Sequence, residues 1–379
     1  MDAATGAVAW STFVGVAPSP EDNTCMPGIG VAGQAVVAGD TVYVGGGDAA
    51  VYALDRNSGV VRWRLPLGDP NAGYFLWSSM VISGNVLYAG IASLGDCPLV
   101  RGGLARISLE NPFNPRIRYF VPEGNAGASL WSTPAIDESA GLVYVATGNA
   151  AVQDAVQGQW GSALLAMDAA TLEIKSYFFR PIALFDDDAD WGSSPMLFQA
   201  PDGRQLVAAN GKDGVMYVLS RPDLSLVWEY KIATDCDSPL VGCGSISTPA
   251  FDGQTIYTGA GTSDAVNSPP GAVYAFDPAA QAPRWVYAAR GVVLAPVTIT
   301  PGLVFAATTK GLSILDAGTG AELWNDQSTI GMYSQPVVSN GTIFATYVNG
   351  DVAAWGIPGD GSGADRIRRV RRVSQTPAR

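Results

Sequence analysis

The chain has 379 residues, among them 45 glycines and 25 prolines; 47% are apolar, 15% are charged, none is histidine, and the formal net charge is −12. The missing histidine excludes a Ser-His-Asp triad, a Cys-His dyad, His-ligated zinc or copper and a His-ligated haem. Chemistry must then come from carboxylates, lysine or arginine, asparagine, aromatics or a borrowed cofactor, and the acidic surface argues against nucleic acid as a partner.

The first residues, MDAATGAVAWSTFVG, read as a D-x-x-T-G turn followed by one short strand. GIGVAG at 28–33 satisfies G-x-G-x-x-G, but a dinucleotide fingerprint must follow a strand and open a helix. This one leads into QAVVAGDTVYVG, a strand pattern, and is set aside.

From Thr41 a repeat takes over. TVYVGGGDAAVYALDRNSGVVRW (41–63) returns as LVYVATGN…ALLAMDAATLEIKSYF (142–179), LVAANGKDGVMYVLSRPDLSLVW (206–228) and TIYTGAGT…AVYAFDPAAQAPRW (255–285). LVFAATTKGLSILDAGTGAELW (303–324) and TIFATYVNGDVAAW (342–355) follow the same plan, and VLYAGIAS…GGLARISLENPFNPRIRYF (86–120) is a looser copy. Each copy holds short runs of alternating β-branched and aromatic residues broken by Gly, Asp or Asn. A stretch of the kind LWSSMVI (76), LWSTPAI (130), DWGSSPML (190), SISTPAF (245) or MYSQPVV (332) precedes most copies. About four strands per unit, in roughly 40–60 residues, is the size of one propeller blade.

Asp55, Asp168, Asp277 and Asp316 follow the third strand and are expected to cap the turn into the fourth. Trp10, Trp63, Trp228, Trp285 and Trp324 stand in the fourth strand and are expected to pack between blades. Six units are complete; the last, at 333–357, supplies three strands before a Gly-rich tail. The expected fold is an all-β propeller of four-stranded blades. It has either seven blades, with the N-terminal strand closing the C-terminal one, or the form of an incomplete eight-bladed ring. Residues 1–358 form one propeller domain on this reading. Residues 359–379 form a disordered tail whose six arginines against two aspartates leave the body near −16.

Four cysteines sit in loop-like sequence with no C-x-x-C pair, which excludes a zinc ribbon or a thioredoxin motif. Cys236 and Cys243 are spaced for a local bridge, and Cys25 and Cys97 for one between loops; with both formed, the compartment is oxidising. No run of 18 apolar residues is present to span a membrane, and no signal peptide is visible in this chain.

The repeat resembles the quinoprotein propellers, which bind pyrroloquinoline quinone (PQQ) and oxidise alcohols. GDCPLVRG (95–102), VYVATGN (143–149), DADWGSSP (188–195) and ANGKDG (209–214) are most similar to the polyvinyl-alcohol-dehydrogenase-like branch. The resemblance implies that Trp131 lies under the quinone ring, a flat apolar floor for a flat cofactor. Trp77 and Trp191 are read at the same place in neighbouring blades, which leaves repeat packing as the other role; Trp191 is carried as a second cofactor contact. Asn149 in TGN is implied as a Ca²⁺ ligand, with Asp190 beside it and Asp96 where the family places a glutamate. Asp190 is implied as the catalytic base. Asp186, Asp187 and Asp188 stand just before it and leave that match open by two positions. Lys212 in GKDG is implied as the cation that contacts the quinone oxygens.

The chain departs from the family in having no vicinal Cys-Cys pair, and no C-x-x-C-H for a covalent haem. Electrons would therefore pass to a separate cytochrome or other acceptor. The implied substrate is a small-molecule or polymeric alcohol and the implied location periplasmic or secreted. A non-catalytic propeller serving as a binding scaffold of the cell envelope is the alternative, because related propellers share the blades without the activity.

Overall fold

The computed structural model is all-β, a β-propeller of seven four-stranded antiparallel blades. It describes residues 2–3, 5–18, 29–96, 98–150, 152–180, 188, 190–234, 244–263, 270–279 and 282–356, and the backbone of 368–370. The four cysteines, and Asp186 and Asp187, lie outside the described residues. Two compact units divide the chain, Met1–Leu197 with Leu219–Leu226 and Phe198–Val218 with Val227–Arg379. No helix of the described residues is long and apolar enough to cross a membrane.

Within each blade the strands pair in chain order. Middle strands are buried on both faces and read as continuous apolar runs, such as Ala50–Asp55 (AVYALD) and Ala163–Asp168 (ALLAMD). Outer strands alternate: Arg116–Tyr119 exposes Arg116 and Arg118 and turns Ile117 and Tyr119 inward. The second blade carries an extra strand, Tyr74–Phe75, on Val86–Ser93. The third inserts a small hairpin, Gln153–Asp154 with Gln159–Trp160, between its second and third strands. Between the second and third blades, Leu104, Phe120, Leu130, Val143, Leu165 and Met167 form one buried cluster.

The turn after the third strand repeats atom for atom. At Asp55, the Ser58 N–H donates to Oδ1 (2.9 Å), the Gly59 N–H to the Asp55 carbonyl (2.8 Å), and the Asp55 N–H to the Val60 carbonyl (2.8 Å). The same three bonds recur at Asp168 and Asp316, and also at Asp2 near the N-terminus. The residue four beyond the aspartate is left-handed each time: Gly6 (φ 71°), Gly59 (72°), Gly320 (74°) and Leu172 (62°), the last without glycine's freedom. Asp277 caps only the Ala279 N–H among the described residues. Three of the tryptophans that the sequence places in fourth strands reach the turn of the following repeat: Trp285 Nε1 donates to Ala317 O (3.0 Å), Trp228 to Pro278 O (2.9 Å) and Trp10 to Arg56 O (2.9 Å). A Cβ on Gly59 or Gly320 would fall 2.5 Å from the Trp10 or Trp285 ring, so the turn glycine also makes room for the indole.

The C-terminal blade differs from the sequence expectation in one strand. Its fourth member is Arg368–Val370, antiparallel to Val352–Gly356, where the sequence offered the N-terminal segment. Residues 7–17 form no strand; their Trp10 and Thr12 are held instead by the first blade's turn, at Arg56 O and Gly59 O. Docking side-on to a turn spends the segment's polar groups differently from a strand ladder.

Candidate functional site

Of the residues singled out above, Trp131, Asn149, Asp96, Asp190 and Trp191 fall in the first unit and Lys212 in the second. Backbone stapling brings the first set together. Val86–Ser93 ends in a loop that returns at Val100, whose N–H donates to Ser93 Oγ (2.9 Å). Gly102 N–H then bonds Gly127 O, Gly127 N–H bonds Val100 O, and Ala128 N–H bonds Asn149 O (2.5 Å). The loop holding Asp96 is thereby tied to 127–128, and 127–128 to the TGN turn.

At the end of that chain the Asn149 carboxamide donates to Asp96 Oδ2 (3.0 Å) and to Asp188 Oδ1 (2.7 Å). Asp96 is exposed, whereas Asn149 and Asp188 are half-buried. One residue back, Gly148 supplies a close approach: a Cβ there would lie 2.9 Å from Asp190 Oδ2 and 3.3 Å from Trp131 Cδ1. Asp190, only 2% exposed, accepts a hydrogen bond from Trp131 Nε1 through Oδ2 (3.0 Å). Trp131 itself is half-buried. Beside this corner, Ser162 holds a left-handed backbone (φ 48°), its N–H on Gly148 O and its carbonyl accepting from Trp191 Nε1. A non-glycine residue in that region is strained, and such strain concentrates where function needs a fixed geometry.

Trp191 departs from the expected correspondence. It stands four residues before Pro195, whereas Trp131 stands three before Pro134, so the pattern slips by one. A slip of one turns a side chain to the opposite face. Trp191 accordingly takes the buried place of Leu130, with 0% exposure and its ring beside Phe178 at 6.3 Å. Trp77 is the true equivalent of Trp131: Val81 pairs with Tyr88 as Ala135 pairs with Tyr144. Lys212 is half-buried in the turn between Gln205–Asn210 and Val215–Ser220, and a Cβ on Gly244 would fall 2.4 Å from its carbonyl.

No group of three or more His, Cys, Asp or Glu side chains is close enough to hold a metal ion among the described residues. The cluster at Asn149 is two carboxylates and a carboxamide, all oxygen donors of the kind a hard cation such as Ca²⁺ requires. The carboxamide now points its nitrogen at the carboxylates. Its two ends are nearly alike in shape, so a half-turn presents the oxygen to a cation instead. The residues present thus offer part of the oxygen shell that Ca²⁺ takes, and Trp131 is a flat half-buried ring of the kind a planar quinone stacks on. Sequence reasoning reached Asp188 only as one of the acidic run just before Asp190, and it did not single out Gly148 as the spacer, for which the G of TGN was the available signal.

The seven four-stranded blades define a β-propeller. The chain belongs to the PQQ β-propeller family. A family profile described as outer membrane protein assembly factor BamB matches residues 1–92 and 192–357, and one described as glucose/ethanol/alcohol dehydrogenase, beta-propeller domain, matches residues 122–232. The chain is 25% identical to a polyvinylalcohol dehydrogenase of a Pseudomonas species over 79% of its own length and 62% of that protein's, so it spans less than two thirds of this relative. It is similar in fold to a europium-containing methanol dehydrogenase, with 16% identity and a TM-score of 0.66, covering 85% of this chain and 72% of that one. It is also similar to BamB from Moraxella catarrhalis, with 14% identity and a TM-score of 0.61, covering 94% and 88%.

Proposed function

We propose that the chain is a PQQ-dependent alcohol oxidoreductase, acting on secondary or polymeric alcohols in the periplasm or outside the cell. The observation that carries this reading is the meeting of Asn149, Asp96 and Asp188 beside the Trp131–Asp190 pair. Of these residues all but Asp96 fall within 122–232, the stretch that the dehydrogenase profile matches and that the BamB profile in large part skips.

Oxidation of a secondary alcohol to a ketone removes a hydride equivalent from carbon and a proton from oxygen, and a bound quinone would supply the acceptor for the hydride equivalent, two electrons with one proton. The chain's residues do the rest. Trp131 offers the stacking face, and the oxygens of Asn149, Asp96 and Asp188 would hold Ca²⁺. A carboxylate of the Asp188–Asp190 pair would accept the hydroxyl proton. On this reading a cytochrome or other acceptor takes the electrons onward. The test is dye-linked oxidation of secondary alcohols by protein reconstituted with PQQ and Ca²⁺. Turnover that disappears in Asp188→Asn supports the reading. No turnover and no quinone binding overturns it.

A second reading, a non-catalytic scaffold of the cell envelope, is favoured by the longer BamB match over 1–92 and 192–357. Recovery of one stoichiometric partner by a chain that binds no quinone would decide for it.

A further inference from the structure

We infer that the two aspartates of DADW divide the work, Asp188 facing the cation and Asp190 acting as a positioning residue that fixes the Trp131 ring. The inference rests on the quinone reading of this site.

The argument starts from the repeat. Trp77 and Trp131 occupy the same register position in consecutive blades, and so do Ser93 and Asn149, five residues beyond Tyr88 and Tyr144. In the second blade the Trp77 indole N–H donates to the backbone carbonyl of Ser93 (2.8 Å). In the third blade the corresponding carbonyl, Asn149 O, is engaged by Ala128 N–H at 2.5 Å, and the Trp131 indole turns to the carboxylate of Asp190. An N–H bond to an ionised acceptor is stronger and shorter than one to a neutral carbonyl, so the ring gains a firmer anchor than its counterpart.

The surroundings of the two aspartates separate them. Asp188 is half-buried and reaches the carboxamide that Asp96 also reaches, which places it on the oxygen cluster. Asp190 is 2% exposed, and its Oδ2 sits between the Trp131 indole and the bare Cα of Gly148. A half-buried ring that must stack on a planar ligand loses affinity in proportion to the rotamer freedom it gives up on binding. Fixing the indole beforehand removes that cost, and Gly148 is what lets the carboxylate come close enough to do it.

Tb³⁺ serves as a luminescent stand-in for Ca²⁺, and PQQ affinity is read by equilibrium dialysis, on wild type, Asp188→Asn, Asp190→Asn, Asp190→Ala and Trp131→Phe. Asp188→Asn is expected to weaken Tb³⁺ about tenfold or more, and either Asp190 variant to change it by less than about twofold. Asp190→Ala is expected to weaken PQQ about tenfold, whereas Asp190→Asn, whose side-chain carbonyl still accepts the indole N–H, restores most of it. Trp131→Phe removes the N–H while keeping a ring, and on that background Asp190→Asn should cost nothing further. Equal loss of Tb³⁺ in Asp190→Asn and Asp188→Asn would make Asp190 a ligand and overturn the division. So would a PQQ affinity unchanged in both Asp190→Ala and Trp131→Phe. If Asp190→Ala does not fold, the Asn and Phe variants still decide. Wild type that binds neither probe removes the quinone reading itself, and the inference with it.

Discussion

The second and third blades present the same tryptophan in two settings. Trp77 lies edge-on to Phe75 at 4.8 Å and gives its N–H to a main-chain carbonyl, an arrangement that completes packing. Trp131 gives its N–H to a buried carboxylate, and a few atoms away two further carboxylates converge on Asn149. The scaffold is shared down to the serine after each tryptophan. Ser78 Oγ takes the Gly90 N–H and Ser132 Oγ donates to Ala146 O, tying both segments to the neighbouring strand. The difference between the blades therefore lies in what the loops deliver to that scaffold, and it shows how one repeat unit can be a staple in one place and a candidate site in the next.

The largest expected effect falls on the spacer. In the second blade the position of Gly148 is held by Ala92, which is fully buried. Gly148→Ala would set a methyl 2.9 Å from Asp190 Oδ2. Overpacking of this kind costs about 1–3 kcal/mol, measured by denaturant unfolding, and should abolish detectable PQQ binding. Next comes the ring itself: Trp131→Ala should weaken PQQ about tenfold or more, while Trp77→Ala leaves PQQ affinity within about twofold, both read by dialysis. Equal losses would erase the distinction between the blades. A smaller effect tests what they share. Ser132→Ala removes a buried hydroxyl bond to Ala146 O and should cost about 1 kcal/mol in unfolding. The smallest is far from the site, at the edge of the first blade. Arg62 bonds Asp40 (2.7 Å) and, with Thr41, holds its carboxyl down to about 2. That stability is present above the ordinary aspartate value and lost as pH falls through about 2. Arg62→Ala should therefore lower the neutral-pH melt slightly, a difference from wild type that vanishes as pH falls through about 2, read by thermal melts against pH.

The blades were legible in the sequence because strand alternation, the capped turn and the fourth-strand tryptophan recur at fixed spacing. Asp2, Thr5, Gly6 and Trp10 show how far that reaches: a turn and its indole staple are intact even where the N-terminal segment forms no strand. Which segment supplies the last strand was not legible, since Arg368–Val370 lies in a Gly- and Arg-rich stretch with no apolar period. At the site, the family resemblance pointed to Trp131, Asn149, Asp96 and Asp190, but not to who meets whom. The contact of Asp96 with Asn149 depends on main-chain bonds through Val100, Gly102, Gly127 and Ala128, which carry no side-chain signature. Counting to the proline already separates Trp191 from Trp131, four residues against three.

Calorimetric titration of PQQ into the chain, with Ca²⁺ and then with excess chelator, tests the central claim most directly. The account predicts saturable binding of one quinone per chain in Ca²⁺, strongly weakened by the chelator and by Asn149→Ala. Absence of binding in Ca²⁺, or binding indifferent to both the chelator and Asn149, would contradict it.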